Sequence, residues 1–248
     1  MPAYNAAVTL PDSIASIQAQ TETSWELLLV VDRNSTDETL AIAQTHASED
    51  HRIRLFGELP EGGCVFNRNH ALREATGTFV AFLDSDDLWM PEKLRLQSKL
   101  MTDATCDFSC TGYRQISREG HELPIVIRPP DRITYDALLK DNVIGCLTVM
   151  YRRSRFPDLR FVEFLHEDYI LWLQMLRQTN ACGLPDCLAS YRVTASSRSG
   201  NKVKAAIARW HILRKFEKLP LPVALSAFLS YAAVAVMRRR LRSTSISS

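Results

Sequence analysis

The sequence lacks a large excess of charge, a cysteine cluster and a leader segment. Its 248 residues include 30 basic and 28 acidic side chains, a formal net charge of +2, so bulk charge does not indicate a polyanion-binding protein and charged partners must be recognised by local patches. No Cys-x-x-Cys pair or Cys/His cluster has the spacing of a structural zinc site. The first residues have neither the basic nor the apolar part of a signal peptide. We therefore expect a cytosolic chain whose six cysteines stay reduced and buried; they are Cys64, Cys106, Cys110, Cys146, Cys182 and Cys187.

Internal repeats, low-complexity tracts and membrane-spanning runs are absent as well. With 46% hydrophobic residues, the chain can bury a full core, which predicts one large α/β domain or one domain with a small subdomain. The apolar stretch 222–237 is shorter than the roughly 20 residues that cross a bilayer. It follows a basic helical stretch, 202–218, and ends in Arg238, Arg239, Arg240 and Arg242. Two alternatives stay open: an interfacial helix on anionic lipid, or a helix packed on the protein's own core or on a partner.

What the sequence does contain is an apolar run, residues 79–83, that ends in three acids, Asp84, Asp86 and Asp87. Five apolar residues in succession predict a strand buried on both faces, typical of a central parallel strand. Ligands of open α/β sheets bind at the carboxyl ends of strands. Because adjacent carboxylates repel one another, we expect a divalent cation with phosphate oxygens at this loop.

Strand and helix patterns alternate before and after this run. We predict helices over 10–20, 38–47, 64–75, 92–101 and 135–140, and strands over 25–31, 52–56, 106–113 and 144–151. Residues 117–132 are expected to form a loop or hairpin. Up to residue 87 this alternation indicates a parallel sheet with right-handed crossovers and a nucleotide-type crevice.

A second acidic feature opens the helical stretch 169–176. Glu167 and Asp168 lie in its first turn, where the helix dipole favours ionised acids. This position is explained equally well by helix stabilisation and by a catalytic role.

Six short motifs follow one another over residues 1–200. They are Pro2-Ala3-Tyr4-Asn5, Gln20-Thr21, Val31-Asp32 with Ser35-Thr36-Asp37, Arg68-Asn69, Phe82-Leu83-Asp84-Ser85-Asp86-Asp87 with Trp89 and Pro91, and Glu167-Asp168-Tyr169. In this order they resemble the motifs of the family 2 inverting glycosyltransferases, which have the GT-A fold. The stretches 144–150 and 189–192 look like the subgroup that builds bacterial surface polysaccharides of the teichuronic acid, lipopolysaccharide or capsule type.

The resemblance implies a Rossmann-like, mostly parallel central sheet flanked by helices, with a C-terminal helical extension. It places the glycosyltransferase domain over residues 1–200, with a nucleotide-binding half to about 110 and an acceptor half over about 111–200. Residues 201–248 form the basic and apolar extension. The implied partners are a nucleotide-diphospho-sugar donor, a glycan or lipid-linked saccharide acceptor and, through the extension, the inner face of an anionic plasma membrane; no nucleic acid is implied.

Residue roles follow from the same resemblance. Asp168 is the expected general base, which takes the proton of the acceptor hydroxyl during a single inverting displacement. Asp86, with Asp84 nearby, is the expected ligand of Mg²⁺ or Mn²⁺, which stabilises the leaving diphosphate. The residues expected to bind the nucleotide sugar are Pro2, Tyr4, Asp32, Arg68, Asp84 and Ser85, whereas Asp87 is expected to hold the loop.

The sequence departs from the family at two places. Family members usually carry residues before Pro2 that form the first central strand, so either the annotated start is late or an interior strand is lost; the second leaves backbone groups and core surface of the neighbours unsatisfied. Arg33 stands where the family usually has a second aspartate at the base. Since a guanidinium cannot accept a hydrogen bond, the nucleotide is expected to be held differently or to carry another base than uracil.

Two other functions fit some of these features. A haloacid-dehalogenase-type phosphatase also has an Asp-x-Asp element after a strand, although nothing else here matches it. A catalytically idle scaffold with the same fold, bound to a membrane assembly through its basic tail, fits the short start and Arg33.

Overall fold

The computed structural model describes residues 1–104, 106–193 and 202–244. Its strands are β1 (Pro2–Ala3), β2 (Leu27–Val31), β3 (Ile53–Phe56), β4 (Phe79–Ala81), β5 (Leu88–Trp89), β6 (Phe108–Ile116), β7 (Glu122–Ile127), β8 (Arg132–Ile133), β9 (Val149–Arg152) and β10 (Ala181–Arg192). Its helices are α1 (Leu10–Gln18), α2 (Thr39–Glu49), α3 (Cys64–Glu74), α4 (Lys93–Asp103), α5 (Tyr135–Lys140), α6 (Glu167–Leu176), α7 (Lys202–His211) and α8 (Leu221–Thr244).

The first three strands form a parallel sheet in the order β1-β2-β3. All five apolar residues of β2 are buried, and α2 and α3 pack against this strand. Helix α1 contributes Leu10, Ile14 and Ile17 to the same core, at the spacing of one helix face. The predicted alternation of strands and helices is confirmed in this part of the chain.

The other strands form a second, mixed sheet. β6 and β10 run parallel to each other, whereas β9 pairs antiparallel with β4 and with β6. β5 and β8 pair antiparallel with β10, and β7 with β6. The α/β class is therefore confirmed. The mostly parallel pairing expected for the sheet holds for β1–β3 and for β6 with β10, while the other described pairs are antiparallel.

The prediction of a central parallel strand before the acids is wrong. The three residues of β4 are half-buried, and the strand pairs antiparallel with β9, with Val80 opposite Tyr151. The apolar run nevertheless continues inward, because Phe82 and Leu83 are buried in two different core clusters. Apolar character identified a buried segment here but carried no information on its pairing partner.

A cavity of about 970 Å³ lies between the two sheets, lined by residues of β2, β4, α1, α3 and α4. β1 pairs with β2 only through Pro2 and Ala3, so Leu27 and Leu28 of β2 line the cavity. The amino group of Met1 donates to the carbonyl oxygen of Leu28 at 2.8 Å, and burial lowers its pKa to about 6.

The expectation of six reduced cysteines is wrong for one pair. Cys106 and Cys182 form a disulfide with their Cα atoms 6.4 Å apart. Cys106 lies just before β6 and Cys182 lies on β10, and the parallel pairing of these strands brings the two residues together. Scattered spacing in the sequence gave no sign of this contact. The other four cysteines are not part of a disulfide.

The C-terminal helices pack on the rest of the chain. Ile212 and Leu213, in a π-helical turn after α7, and Ala224 and Ala227 of α8 belong to the larger core cluster. No helix in the described residues is long and apolar enough to cross a membrane. The helical character predicted for this stretch is confirmed. The proposed boundary between residues 200 and 201 stays a prediction.

Candidate active site

The acidic loop, residues 82–87, follows β4 and is held from two sides through its main chain. The hydroxyl of Thr9, just before α1, donates to the carbonyl oxygen of Ser85 at 2.8 Å. The Nε of Arg192, the last residue of β10, donates to the carbonyl oxygen of Asp86 at 2.8 Å. The segment before α1 and the end of β10 therefore fix the loop that carries the acids.

Asp87 holds this loop, as its position suggested. Its side chain is 2% exposed, and its carboxylate accepts a hydrogen bond from the backbone N–H of Arg192 at 2.8 Å. Burial, followed by the charges of Asp86 and Asp84, raises the pKa of Asp87. This carboxyl group ties the loop to the end of β10.

Arg68 of α3 joins the acidic loop to α6. Its Nη2 donates to both carboxylate oxygens of Asp84, at 2.6 and 2.9 Å, and its Nη1 donates to Oε1 of Glu167 at 2.9 Å. Burial lowers the pKa of Arg68, but the charge of Asp84 and further anionic neighbours outweigh it, so the pKa lies well above its usual value. A buried guanidinium with two carboxylate partners is a strong geometric constraint.

Asp168 lies in the first turn of α6, next to Glu167. Burial and the charge of Glu167 raise its pKa, while the positive charge of Arg68 opposes this effect. Its Oδ1 accepts a hydrogen bond from the N–H of Tyr169 at 2.7 Å. A carboxylate with a raised pKa is a stronger base than one at its usual value. The electrostatics are compatible with the predicted catalytic role.

Asp32, at the carboxyl end of β2, is saturated with hydrogen bonds from the protein. It accepts from the N–H of Gly63, from the backbone and side chain of Asn34, and from the side chain of Asn67. Burial raises its pKa, but these hydrogen bonds outweigh burial and the pKa lies below its usual value. A Cβ on Gly62 would lie 2.7 Å from the carboxylate. All four acceptor positions of an ionised carboxylate are in use, so Asp32 shapes the turn around it.

A pocket of about 480 Å³ lies beside this turn and is lined by Asp32, Arg33, Ser35 and Leu59, among others. The guanidinium of Arg33 donates to the carbonyl oxygen of Pro60. Backbone and side-chain hydrogen bonds of Asn5 to Ser35 and Thr36 connect the segment after β1 to the same region. Pro2 lies in β1, and Tyr4 follows it with 59% of its surface exposed.

The donor set of the acidic loop fits a hard divalent cation that also binds phosphate. In the described ranges, no three His, Cys, Asp or Glu side chains are placed to hold an ion by themselves. Since both oxygens of Asp84 accept from Arg68, Asp86 is the better candidate ligand. Carboxylate oxygens suit Mg²⁺ and Mn²⁺, and the remaining ligands of such an ion are commonly phosphate and water.

The structure brings Arg68, Asp84 and Glu167 together, and Asp168 lies within electrostatic reach of Arg68. Sequence reasoning missed the positioning residues. Thr9 carries no recognisable signal, because its role depends on a contact with Ser85, far along the chain. Arg192 and Glu167 lie in motifs noted in the sequence, but the pattern did not reveal what they contact.

Acids at the end of a strand, a glycine-containing turn at Asp32 and a second acidic pair joined to the loop by Arg68 are typical of a nucleotide-sugar-dependent transferase. The model of the family described as "Glycosyl transferase family 2" matches residues 1–160. The chain belongs to this family. It is 38% identical over 240 residues to TuaG of Bacillus subtilis (strain 168), a glycosyltransferase assigned to teichuronic acid biosynthesis, with 96% of this chain and 95% of that protein covered. It is 36% identical over 243 residues to WfgD of Escherichia coli, a UDP-Glc:α-D-GlcNAc-diphosphoundecaprenol β-1,3-glucosyltransferase, with 96% and 92% covered.

Solved structures show the same fold. Residues 1–349 of Staphylococcus aureus TarS in complex with UDP-GlcNAc match with a TM-score of 0.71 at 20% identity, covering 93% of this chain and 70% of that one. The mannosyltransferase PcManGT of Pyrobaculum calidifontis, in complex with GDP-Man and Mn²⁺, matches with a TM-score of 0.68 at 18% identity, covering 99% and 79%. The GT-A fold and the glycosyltransferase class are confirmed. These similarities favour neither the phosphatase nor the idle scaffold.

Proposed function

We propose that this glycosyltransferase moves a hexosyl group from a nucleoside-diphosphate sugar to a hydroxyl of a lipid-linked saccharide, with inversion, in the synthesis of a cell-surface polysaccharide. The observation that carries the proposal is the Arg68 bridge, which connects Asp84 of the acidic loop with Glu167 beside Asp168. It joins the loop assigned to the diphosphate with the acidic pair that contains the proposed base. The relatives named for teichuronic acid and for a diphosphoundecaprenol-linked acceptor support the acceptor class.

Asp168 is the general base of this proposal. It takes the proton of the acceptor hydroxyl as the oxygen attacks the anomeric carbon from the face opposite the diphosphate. The new glycosidic bond forms while the bond to the diphosphate breaks, so one displacement inverts the configuration. No enzyme nucleophile is needed, in contrast to the two-carboxylate arrangement of retaining glycosidases.

The donor side is assigned to the acidic loop and its neighbours. A bound Mg²⁺ or Mn²⁺ offsets the charge of the departing diphosphate. Asp86 would hold this ion, with Asp84 and Ser85 beside the nucleotide, and Arg68 keeps Asp84 in place. Pro2, Tyr4 and the turn at Asp32 line the base side. A UDP-linked sugar is the proposed donor, because relatives and structural neighbours are named with UDP-Glc, UDP or UDP-GlcNAc.

The experiment is a transfer assay with a panel of UDP-, GDP- and dTDP-sugars, Mn²⁺ and a diphosphate-lipid-linked monosaccharide. We expect a product from a UDP-hexose whose anomeric configuration, read by NMR coupling constants, is opposite to that of the donor. Arg33→Asp is a matched probe of the base pocket, and we expect it to change the preference among bases. A product with retained configuration, or transfer that is unaffected by chelation of the metal, would contradict the proposal.

The same proposal places the protein on the cytoplasmic side of the membrane that carries the acceptor lipid, in peripheral contact through residues 201–248. Its support is the lipid-linked acceptor in the name of WfgD.

A further inference from the structure

The basic residues of this protein are concentrated near its C-terminus. Residues 202–244 contain ten Lys or Arg and a single acid, Glu217, although the whole chain has 30 basic and 28 acidic residues. The remainder of the chain is therefore acidic. A segregated positive region in a nearly neutral protein indicates a negatively charged partner for that region.

The single acid of this region is turned away from solvent. Glu217 is 6% exposed, pairs with Arg177 at 2.8 Å and accepts a hydrogen bond from the hydroxyl of Tyr135. Its backbone N–H donates to the carbonyl of Ile212 at 2.9 Å. This carboxylate anchors the turn between α7 and α8 to the core and leaves the outer surface of the turn positive.

The basic corner consists of Arg214, Lys215 and Lys218, which are all exposed on that turn. The Arg214 guanidinium donates to the carbonyl of Leu219 across the turn. Neither lysine has an ion pair among the described residues. Phe216, between them, is 36% exposed. Three cations and an aromatic ring are thus presented on one short, anchored segment.

The leucine stripe continues directly from this corner along α8. Leu221, Leu225 and Leu229 are spaced four residues apart and are 57%, 47% and 59% exposed, so they form one row on the helix surface. The opposite face packs inward through Ala224 and Ala227, which are buried. Leaving large aliphatic side chains in water forgoes the favourable free energy of their burial. The stripe is a surface that gains by being covered.

We propose that the basic corner and the leucine stripe bind the surface of an anionic lipid bilayer, with α8 lying along the interface. This inference rests on the proposed function, whose acceptor is lipid-linked, and names the surface that brings the enzyme to it. Lysine and arginine side chains are attracted to the surface of an anionic bilayer, and the leucines enter the boundary between headgroups and acyl chains. A second copy of the chain is a poorer partner for this face, because its own basic corner would repel the first.

Co-sedimentation of the full chain with vesicles of phosphatidylcholine, with and without phosphatidylglycerol, tests the proposal. We expect binding to the anionic vesicles that falls with added salt. The pair Lys215→Glu with Lys218→Glu should weaken it at least tenfold, and the pair Leu225→Ser with Leu229→Ser should weaken it several-fold. All four substituted positions lie on exposed surface, and circular dichroism checks that the variants are folded.

Two matched variants serve as controls. Lys99→Glu replaces an exposed lysine of α4, and Val126→Ser replaces a valine of β7 that is 47% exposed; both should bind vesicles like the unaltered chain. Equal losses of binding in the controls, or full binding by the variant with Lys215→Glu and Lys218→Glu, would overturn the proposal. So would a protein that does not bind vesicles but forms a dimer that the leucine substitutions dissociate. Because sedimentation needs no turnover, vesicle binding without sugar transfer would refute the proposed function alone.

Discussion

The acidic loop and the cavity between β2 and β4 adjoin each other, yet the contacts around them differ. The loop is fixed by directed polar contacts from Thr9, Arg68 and Arg192. The cavity is lined by polar and apolar residues alike, and its β2 edge is paired over only two residues of β1. Arg68 lines the cavity and also binds the loop. The comparison teaches that the geometry of the site depends on side-chain contacts rather than on a continuous sheet.

Asp168→Asn gives the largest expected effect, because it removes the base while leaving the loop and the cavity unchanged. Transfer should fall by about 10²–10⁴-fold, the usual contribution of a general base. Nucleotide affinity, measured by calorimetry, should stay within about twofold. Asp158→Asn, at an exposed position in a turn, is the matched control. Full transfer by the Asp168 variant would refute the assignment of the base.

Arg68→Met should be the most damaging substitution for stability, since it leaves Asp84 and Glu167 without their shared cation. Breaking a buried pair by removing one partner costs about 3–5 kcal/mol. We expect a loss of this size in urea unfolding. Arg68→Lys should recover part of the stability but less of the transfer, because an ammonium group does not reproduce the bridging geometry. A stable Met variant would show that the loop is held without this bridge.

The buried amino group of Met1, at the edge of the cavity, should make the free energy of unfolding depend on pH between 6 and 8. Burial lowers the pKa of the Met1 amino group from 8.0 to about 6, so over this window the unfolded state binds more protons and stability rises with pH. The rise is at most about 2.7 kcal/mol, as two pKa units are worth about 1.36 kcal/mol each. The measurement is the difference in the free energy of unfolding between the protein with a free amino terminus and the Nα-acetylated protein. Identical pH profiles of the two proteins would show that the amino group is exposed to solvent in the folded state.

Ala81→Val, in the strand of β4 that lines the cavity, is expected to have the smallest effect. Added methyl groups should fill part of the empty space and raise the free energy of unfolding by about 0.5–1 kcal/mol. In the packed core beside it, Ala189→Val should instead destabilise, because Ala189 is fully buried and overpacking costs about 1–3 kcal/mol. Destabilisation by both substitutions would show that the cavity walls do not tolerate added volume.

Much of the fold was predictable because its information is local. Apolar runs and helix periodicity located α1, β2, α3 and α6 within a few residues. The pairing of strands was not predictable, because no pattern in residues 79–83 indicates that they pair with Val149–Arg152. The disulfide between Cys106 and Cys182 was missed for the same reason, as it depends on the alignment of β6 with β10.

The candidate site, too, was predictable only in part. Motif order identified the acids and Arg68, because their chemistry is visible in the residue types. The positioning contacts of Thr9 and Arg192 depend on partners 76 and 106 residues away, which only the folded chain reveals. Asp32 was expected to accept a hydrogen bond from the base, and in the folded chain its acceptor positions are filled by Asn34, Gly63 and Asn67.

The most direct test of the account is calorimetry of UDP binding with and without Mn²⁺, on the unaltered chain and on Asp86→Asn. The account predicts that Mn²⁺ strengthens UDP binding at least tenfold in the unaltered chain and has little effect in the variant. Equal enhancement in both proteins, or UDP binding that ignores Mn²⁺ altogether, would contradict the claim that the acidic loop is a metal-dependent nucleotide-sugar site.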